Sequence, residues 1–323
     1  MARFRNTVSI CFQALAALGL FLALGSAAEA SPRVVVTIKP IHSLAAAILE
    51  GIAEPKLLLN GAASPHSYAL KPSDARAVNE ADAVIFVSKN LEGFLTKAIE
   101  SLPAKARVID LEEAPGLRLL PVRQAGLQQA SNESTDDNEE HEEHEGHFHN
   151  HNGNDVHFWL DPMNAIAIAR HLAREFSAID PGHEAQYQAN AAKLEAALTG
   201  LDAELRATLA GLSDRSFIVF HDVTQYLDTR YGLRGVGAIT VSPEREPGAK
   251  RLAAVRAKIE EAKAICVFSE PEFPPKLVQM LTAGTKAKRG VLDEVGAAIP
   301  PGPGQYFALM RADAASLAGC LKS

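Results

Sequence analysis

Short apolar runs alternate with amphipathic stretches along most of this chain. Val34-Val35-Val36-Thr37-Ile38 is a β-branched run that fits a buried strand. Apolar positions at helical spacing follow over residues 41–49, a second short strand over 56–59, and a helix opened by Pro72-Ser73-Asp74. Residues 83–87 read as another strand. Asp161-Pro162, a capping residue followed by Pro at the first helical position, opens a helix to about residue 178. Pro181 opens the longest one. There Tyr187, Ala191, Leu194, Leu198, Leu201, Leu205, Leu209 and Leu212 recur at spacings of three or four, a single apolar face over about eight turns. A coiled-coil seam is the competing reading of that face, and the weak charge pattern beside it argues against a dimer. Beyond Leu212 the alternation restarts, with strands over 217–220, 235–240, 265–268 and 290–292 and helices over 223–231, 248–262, 275–284 and 305–321. Strands alternating with helices predict an α/β fold with mainly parallel sheets, in two halves of similar architecture.

Two segments break this pattern. Residues 1–30 carry Arg3 and Arg5, an apolar run over 14–24 and Ala28-Glu29-Ala30, which reads as a signal peptide cleaved near Ala30. That run is short for a spanning helix, which needs about 20 residues. An exported, soluble protein is expected, with no membrane insertion after cleavage. Residues 131–154 have almost no apolar content, which predicts a disordered loop. The expected organisation is therefore a signal peptide over 1–30, an N-terminal lobe over 31–180 including the loop 131–154, a linking helix over 181–212 and a C-terminal lobe over 213–323.

Charge and cysteines narrow the class. The formal charge is −7, and residues 131–154 hold eight acids with no Lys or Arg, so the acidity is local. No basic stripe suits nucleic acid. Once Cys11 leaves with the leader, Cys266 and Cys320 remain. In an exported protein such a pair is most simply a disulfide, with two buried thiols as the alternative.

The candidate chemistry lies in the histidines. Of 11 in the protein, His141, His144, His147, His149, His151 and His157 fall between residues 139 and 161. His-rich tracts signal metal binding. The five loop imidazoles among carboxylates suit transient, secondary metal capture, against the plainer reading of a solvated tether. Ligands in open α/β sheets gather at the carboxyl ends of strands. His66, His221 and Asp293 occupy such places, and His157 lies in the segment entering the Asp161 helix. Three imidazoles and a carboxylate make a plausible tetrahedral zinc shell. His42, His171 and His183 take structural or surface roles in this reading.

Five segments carry a family resemblance: Gly61-Ala-Ala-Ser-Pro-His66-Ser-Tyr-Ala-Leu-Lys-Pro-Ser-Asp74, His157-Phe-Trp-Leu-Asp-Pro162, Val219-Phe-His221-Asp-Val-Thr-Gln-Tyr226, Cys266-Val-Phe-Ser-Glu-Pro-Glu-Phe273 and Gly290-Val-Leu-Asp293. With the acidic His-rich loop, they make the chain resemble, end to end, the ZnuA family of periplasmic zinc-binding components of ABC transporters. The resemblance implies two Rossmann-like α/β lobes joined by one long helix, with metal in the cleft between them. It implies a monomer that hands zinc to a membrane permease and its ATPase. His66, His157 and His221 match the family's histidine ligands, and Asp293 a position that supplies a carboxylate in related members. Some zinc members place glutamate beside the first histidine; Pro65 cannot ligate, which leaves Asp293 or water as the fourth ligand.

Relatives that carry manganese tend to use a carboxylate where His221 stands, and an imidazole-rich site suits zinc better than manganese. A zinc hydrolase is the reading from another class, since three histidines and water also describe catalytic zinc. No His-Glu-x-x-His helix supports it, and Glu270 and Glu272 are the nearest candidates for a general base. A surface adhesin or metal buffer is the third.

Overall fold

The apolar runs assemble into two parallel sheets of four strands each. The computed structural model describes residues 31–103, 105–123, 153–240, 243 and 245–322. The leader and His141, His144, His147, His149 and His151 lie outside the described residues. The first half runs β1 (Val34–Val36), α1 (Lys39–Ile48), β2 (Lys56–Leu57), α2 (Pro72–Glu80), β3 (Ala83–Phe86), α3 (Thr96–Glu100) and β4 (Arg107–Asp110). Then come α4 (Pro162–Ile179) and the long α5 (Glu184–Leu209). The second half runs β5 (Ser216–Val219), α6 (Gln225–Tyr231), β6 (Arg234–Ala238), α7 (Ala249–Glu261), β7 (Cys266–Ser269), α8 (Lys276–Thr282), β8 (Lys288–Val291) and α9 (Gln305–Leu321).

The strand orders are β2-β1-β3-β4 and β6-β5-β7-β8, so the second half repeats the topology of the first. Every pairing is parallel, as helices between successive strands require. Central strands β1, β3, β5 and β7 are buried throughout, which explains their continuous apolar runs. Strand β4 and helix α3 were not anticipated. Only Val108 and Ile109 are apolar in β4, and charged residues flank them.

Asp161 caps α4 by accepting from Met163 N–H at 2.8 Å, with Pro162 at the first position. Every apolar residue read along the long helix is buried, from Tyr187 to Leu209, with Leu212 just beyond it. That face packs against α4, α1 and α9 of the same chain, so the fold itself occupies the seam that a dimer would need. One apolar core runs continuously from β1 and β3 through α5 to β5 and α9. A smaller cluster, including Ile218, Val255, Ile259, Val267 and Val278, lies under α7 and α8. The sulfurs of Cys266 on β7 and Cys320 on α9 sit at bonding distance, 2.08 Å, tying the last helix to a central strand. Among the described residues no helix is long and apolar enough to cross a membrane.

Candidate metal centre

Three of the expected ligands converge. His66 lies in a turn beyond β2, where its backbone N–H donates to Ser64 Oγ at 3.3 Å. His157 precedes the buried turn Phe158–Leu160. Asp155 Oδ1 accepts both its backbone N–H, at 3.0 Å, and the bond from its Nδ1, at 2.7 Å. The short Asp side chain turning onto the backbone two residues ahead thus fixes the ring. His221 lies two residues beyond the end of β5. Glu270, just beyond the neighbouring strand β7, accepts its backbone N–H at 3.1 Å and bonds its Nδ1 at 2.6 Å. Each carboxylate holds one ring nitrogen and aims the other inward, the arrangement that orients histidine metal ligands in proteins.

The fourth member of the group is Glu294, fully buried, one residue past the expected Asp293. The structure does not bring Asp293 into the group. Its Oδ1 accepts from the N–H groups of Val295 and Gly296 and its Oδ2 from that of Ala297, at 3.1, 2.6 and 2.6 Å. Gly296 has a φ of +73°, in the left-handed region, and a Cβ there would crowd Gln305, so this turn favours glycine. Asp293 therefore shapes the loop and its neighbour faces the histidines. Asp readily caps local backbone, but only the turn itself shows which of the two adjacent carboxylates does so.

The distances carry chemical meaning. His157 Nε2 and His221 Nε2 lie 3.4 Å apart, and Glu294 Oε2 lies 3.1 Å from the first and 3.5 Å from the second. A tetrahedron with bonds of about 2.0–2.1 Å to zinc has edges of about 3.3–3.4 Å. Three donor atoms thus already sit near tetrahedral spacing, and one donor atom from each of the four residues falls within 4.8 Å of the others. The His66 ring packs 5.6 Å from that of His157 and 5.2 Å from that of His221, centre to centre.

Burial opposes charge on His157, only 5% exposed, yet Asp155 and Glu294 outweigh it and push its pKa up to about 9. Burial likewise opposes His221, and Glu270 and Glu294 hold it well above the usual imidazole range. Burial disfavours the Glu294 carboxylate, but His221 and His157 keep it well below its ordinary value. His157 and His221 are thus held above the ordinary imidazole range by the carboxylates around them, and a bound cation would have to displace their protons. Among the other histidines, His42 bonds the Pro55 carbonyl at 2.9 Å and His183 bonds Asp180 at 2.7 Å, both away from the centre.

Paired parallel α/β sheets, with a four-donor group able to hold a metal at their strand ends, define the class: an α/β metal-binding solute receptor. The chain belongs to the ZnuA family, whose model, described as zinc-uptake complex component A, periplasmic, matches residues 34–320. It is 43% identical over 304 residues to the high-affinity zinc uptake system protein ZnuA of Brucella abortus (strain 2308), covering 89% of this chain and 91% of that protein. Among solved structures, a crystal structure of ZnuA is 26% identical and superposes with a TM-score of 0.74, covering 90% of this chain and 99% of that one. A ZnuA deletion mutant with zinc bound is 25% identical, with a TM-score of 0.72, covering 90% and 98%.

Proposed function

We propose that this protein captures zinc in the periplasm and delivers it to the permease of an ABC importer, with His66, His157, His221 and Glu294 as ligands. The carrying observation is the near-tetrahedral spacing of the His157, His221 and Glu294 donor atoms. Three imidazoles favour zinc over manganese, which prefers oxygen-rich shells. The protein binds and releases its cargo unchanged. Of the two candidate bases for a hydrolase, Glu270 and Glu272, the first is committed through both oxygens to His221. Residues 1–30 act as the export signal, cleaved near Ala30, and the mature chain works as a monomer. The helix over 181–212 is the joint between its halves, 31–180 and 213–323.

The His-rich segment serves as a secondary collector. At its root the two flanking stretches pair with each other: Val122 N–H donates to Gly153 O at 3.1 Å and Asp155 N–H to Leu120 O at 2.8 Å. Deleting the segment between these roots should leave one tight zinc site and remove weaker binding.

Titration of the purified mature protein, with competition among zinc, manganese and copper, tests the main reading. One tight zinc per chain, displaced poorly by manganese and lost in the triple variant His66→Ala/His157→Ala/His221→Ala, is the expected result. Unchanged tight binding in that variant would defeat the ligand assignment. Zinc-dependent turnover of esters or peptides would favour the hydrolase instead.

A further inference from the structure

Lys39 is the first residue of α1, and only 3% of it is exposed. A cation at a helix N-terminus faces the positive end of the helix dipole, so local helix stability does not account for its place. Its Nζ instead crosses to the loop after β8, donating to the carbonyls of Gly296, Ala297 and Ile299 at 3.0, 2.7 and 3.1 Å. An ammonium has three N–H donors, and all three are used.

That loop carries Glu294, and its backbone is held at nearly every polar group. Asp313 accepts the Asp293 N–H at 3.0 Å, and the indole N–H of Trp159 donates to the Glu294 carbonyl at 3.0 Å. Asp293 takes the N–H groups of residues 295–297, and Gln305 Nε2 donates to the Val295 carbonyl at 2.8 Å. Among the described residues, Lys39 is the side chain that serves the carbonyls of residues 296, 297 and 299. Without it, three carbonyls in a part-buried turn lose their charge-assisted donor, and the turn beside Glu294 loses three hydrogen bonds to α1.

We propose that Lys39 is a positioning residue for the zinc site: from the first half of the chain it braces the loop that presents Glu294, and so sets how firmly the metal is held. This rests on the reading of Glu294 as a ligand, and a double-mutant cycle separates the two. Zinc affinity is measured by competition with a chromophoric chelator for the wild type, Lys39→Met, Glu294→Gln and the double variant. Lys39→Met keeps the length of the side chain and removes its charge and donors. If Lys39 acts through Glu294, Lys39→Met should weaken zinc binding about tenfold or more in the wild-type background and less than about twofold when Glu294 is already Gln. Should Lys39→Met not fold, Lys39→Gln, which keeps two N–H donors, takes its place, with a smaller loss and the same coupling. Equal losses in both backgrounds, or no loss in either, would overturn the proposal while Glu294→Gln alone still weakens binding. A Glu294→Gln protein that binds zinc like the wild type would instead defeat the ligand reading, and this proposal with it.

Discussion

In the loop beyond β3, buried Glu92 folds back on its own chain, accepting the N–H groups of Val87 and Ser88 just past the strand end at 2.7 and 3.0 Å. At the end of β7, the matching strand of the second sheet, buried Glu270 reaches sideways to His221. Both carboxylates act beyond a central strand at the same place in the strand order, Glu270 directly after β7 and Glu92 in the loop after β3. One closes a turn and the other orients the His221 ring. The difference lies in the neighbouring strand: β1 is followed by Thr37 and Ile38, whereas β5 is followed by Phe220 and His221. Identical topology thus leaves the chemistry open, and single side chains at strand ends decide it.

The largest expected effect comes from emptying the braced pair. Replacing His157 and His221 together by Ala should weaken zinc binding by roughly 10⁴-fold, since apparent structural zinc energies of about 10–16 kcal/mol spread over four donors give about 3 kcal/mol each. A calorimetric titration retaining a tight site would refute the geometry. Next comes a tie that the second sheet has and the first lacks. Reducing the Cys266–Cys320 bond, or changing both residues to Ser, should lower stability by about 4 kcal/mol for a closed loop of this length, read from denaturant midpoints. An unchanged midpoint would show that the bond does not stabilise the fold.

The comparison itself is tested by paired substitutions. Glu270→Gln should weaken zinc about 10–100-fold, the usual cost of losing a carboxylate behind a histidine ligand, with Glu92→Gln staying within about twofold. Equal effects would mean that the two glutamates are not doing different jobs. The last test is graded, in pH. Below about 9, His157 carries a proton that zinc must displace, and His221 is also held above its ordinary range. Affinity should therefore fall as pH falls, by about tenfold per pH unit for each proton displaced. The fall begins well above the value near 6.5 that free imidazole would give. Titrations in buffers of different ionisation heat count those protons, and no release at neutral pH would contradict the assignment.

Much of this was legible in the chain. The central strands announce themselves as β-branched runs because both their faces are buried, and the α5 stripe does so because one face meets α4 and α9. The convergence of His66, His157 and His221 was legible from strand ends and family motifs. Glu294 was not, because two adjacent carboxylates after a strand look alike until the turn shows which one caps backbone. Asp155 and the bracing role of Glu270 were also missed. A partner that acts on a ring nitrogen leaves no spacing signature when it comes from another strand, as Glu270 does. Strand β4 escaped because its apolar content is only two residues.

The contacts between Lys39 and the Glu294 loop join residues 257 to 260 positions apart. Tyr306 adds another such stitch, from its backbone N–H to Ser43 Oγ at 3.0 Å. Contacts of such high order close late in folding, because the entropy of the intervening chain must be overcome before they form. With the ligands proposed above, His66 and His157 come from the first half of the chain and His221 and Glu294 from the second. On that assignment tight zinc binding would require both halves to be folded together, not either one alone.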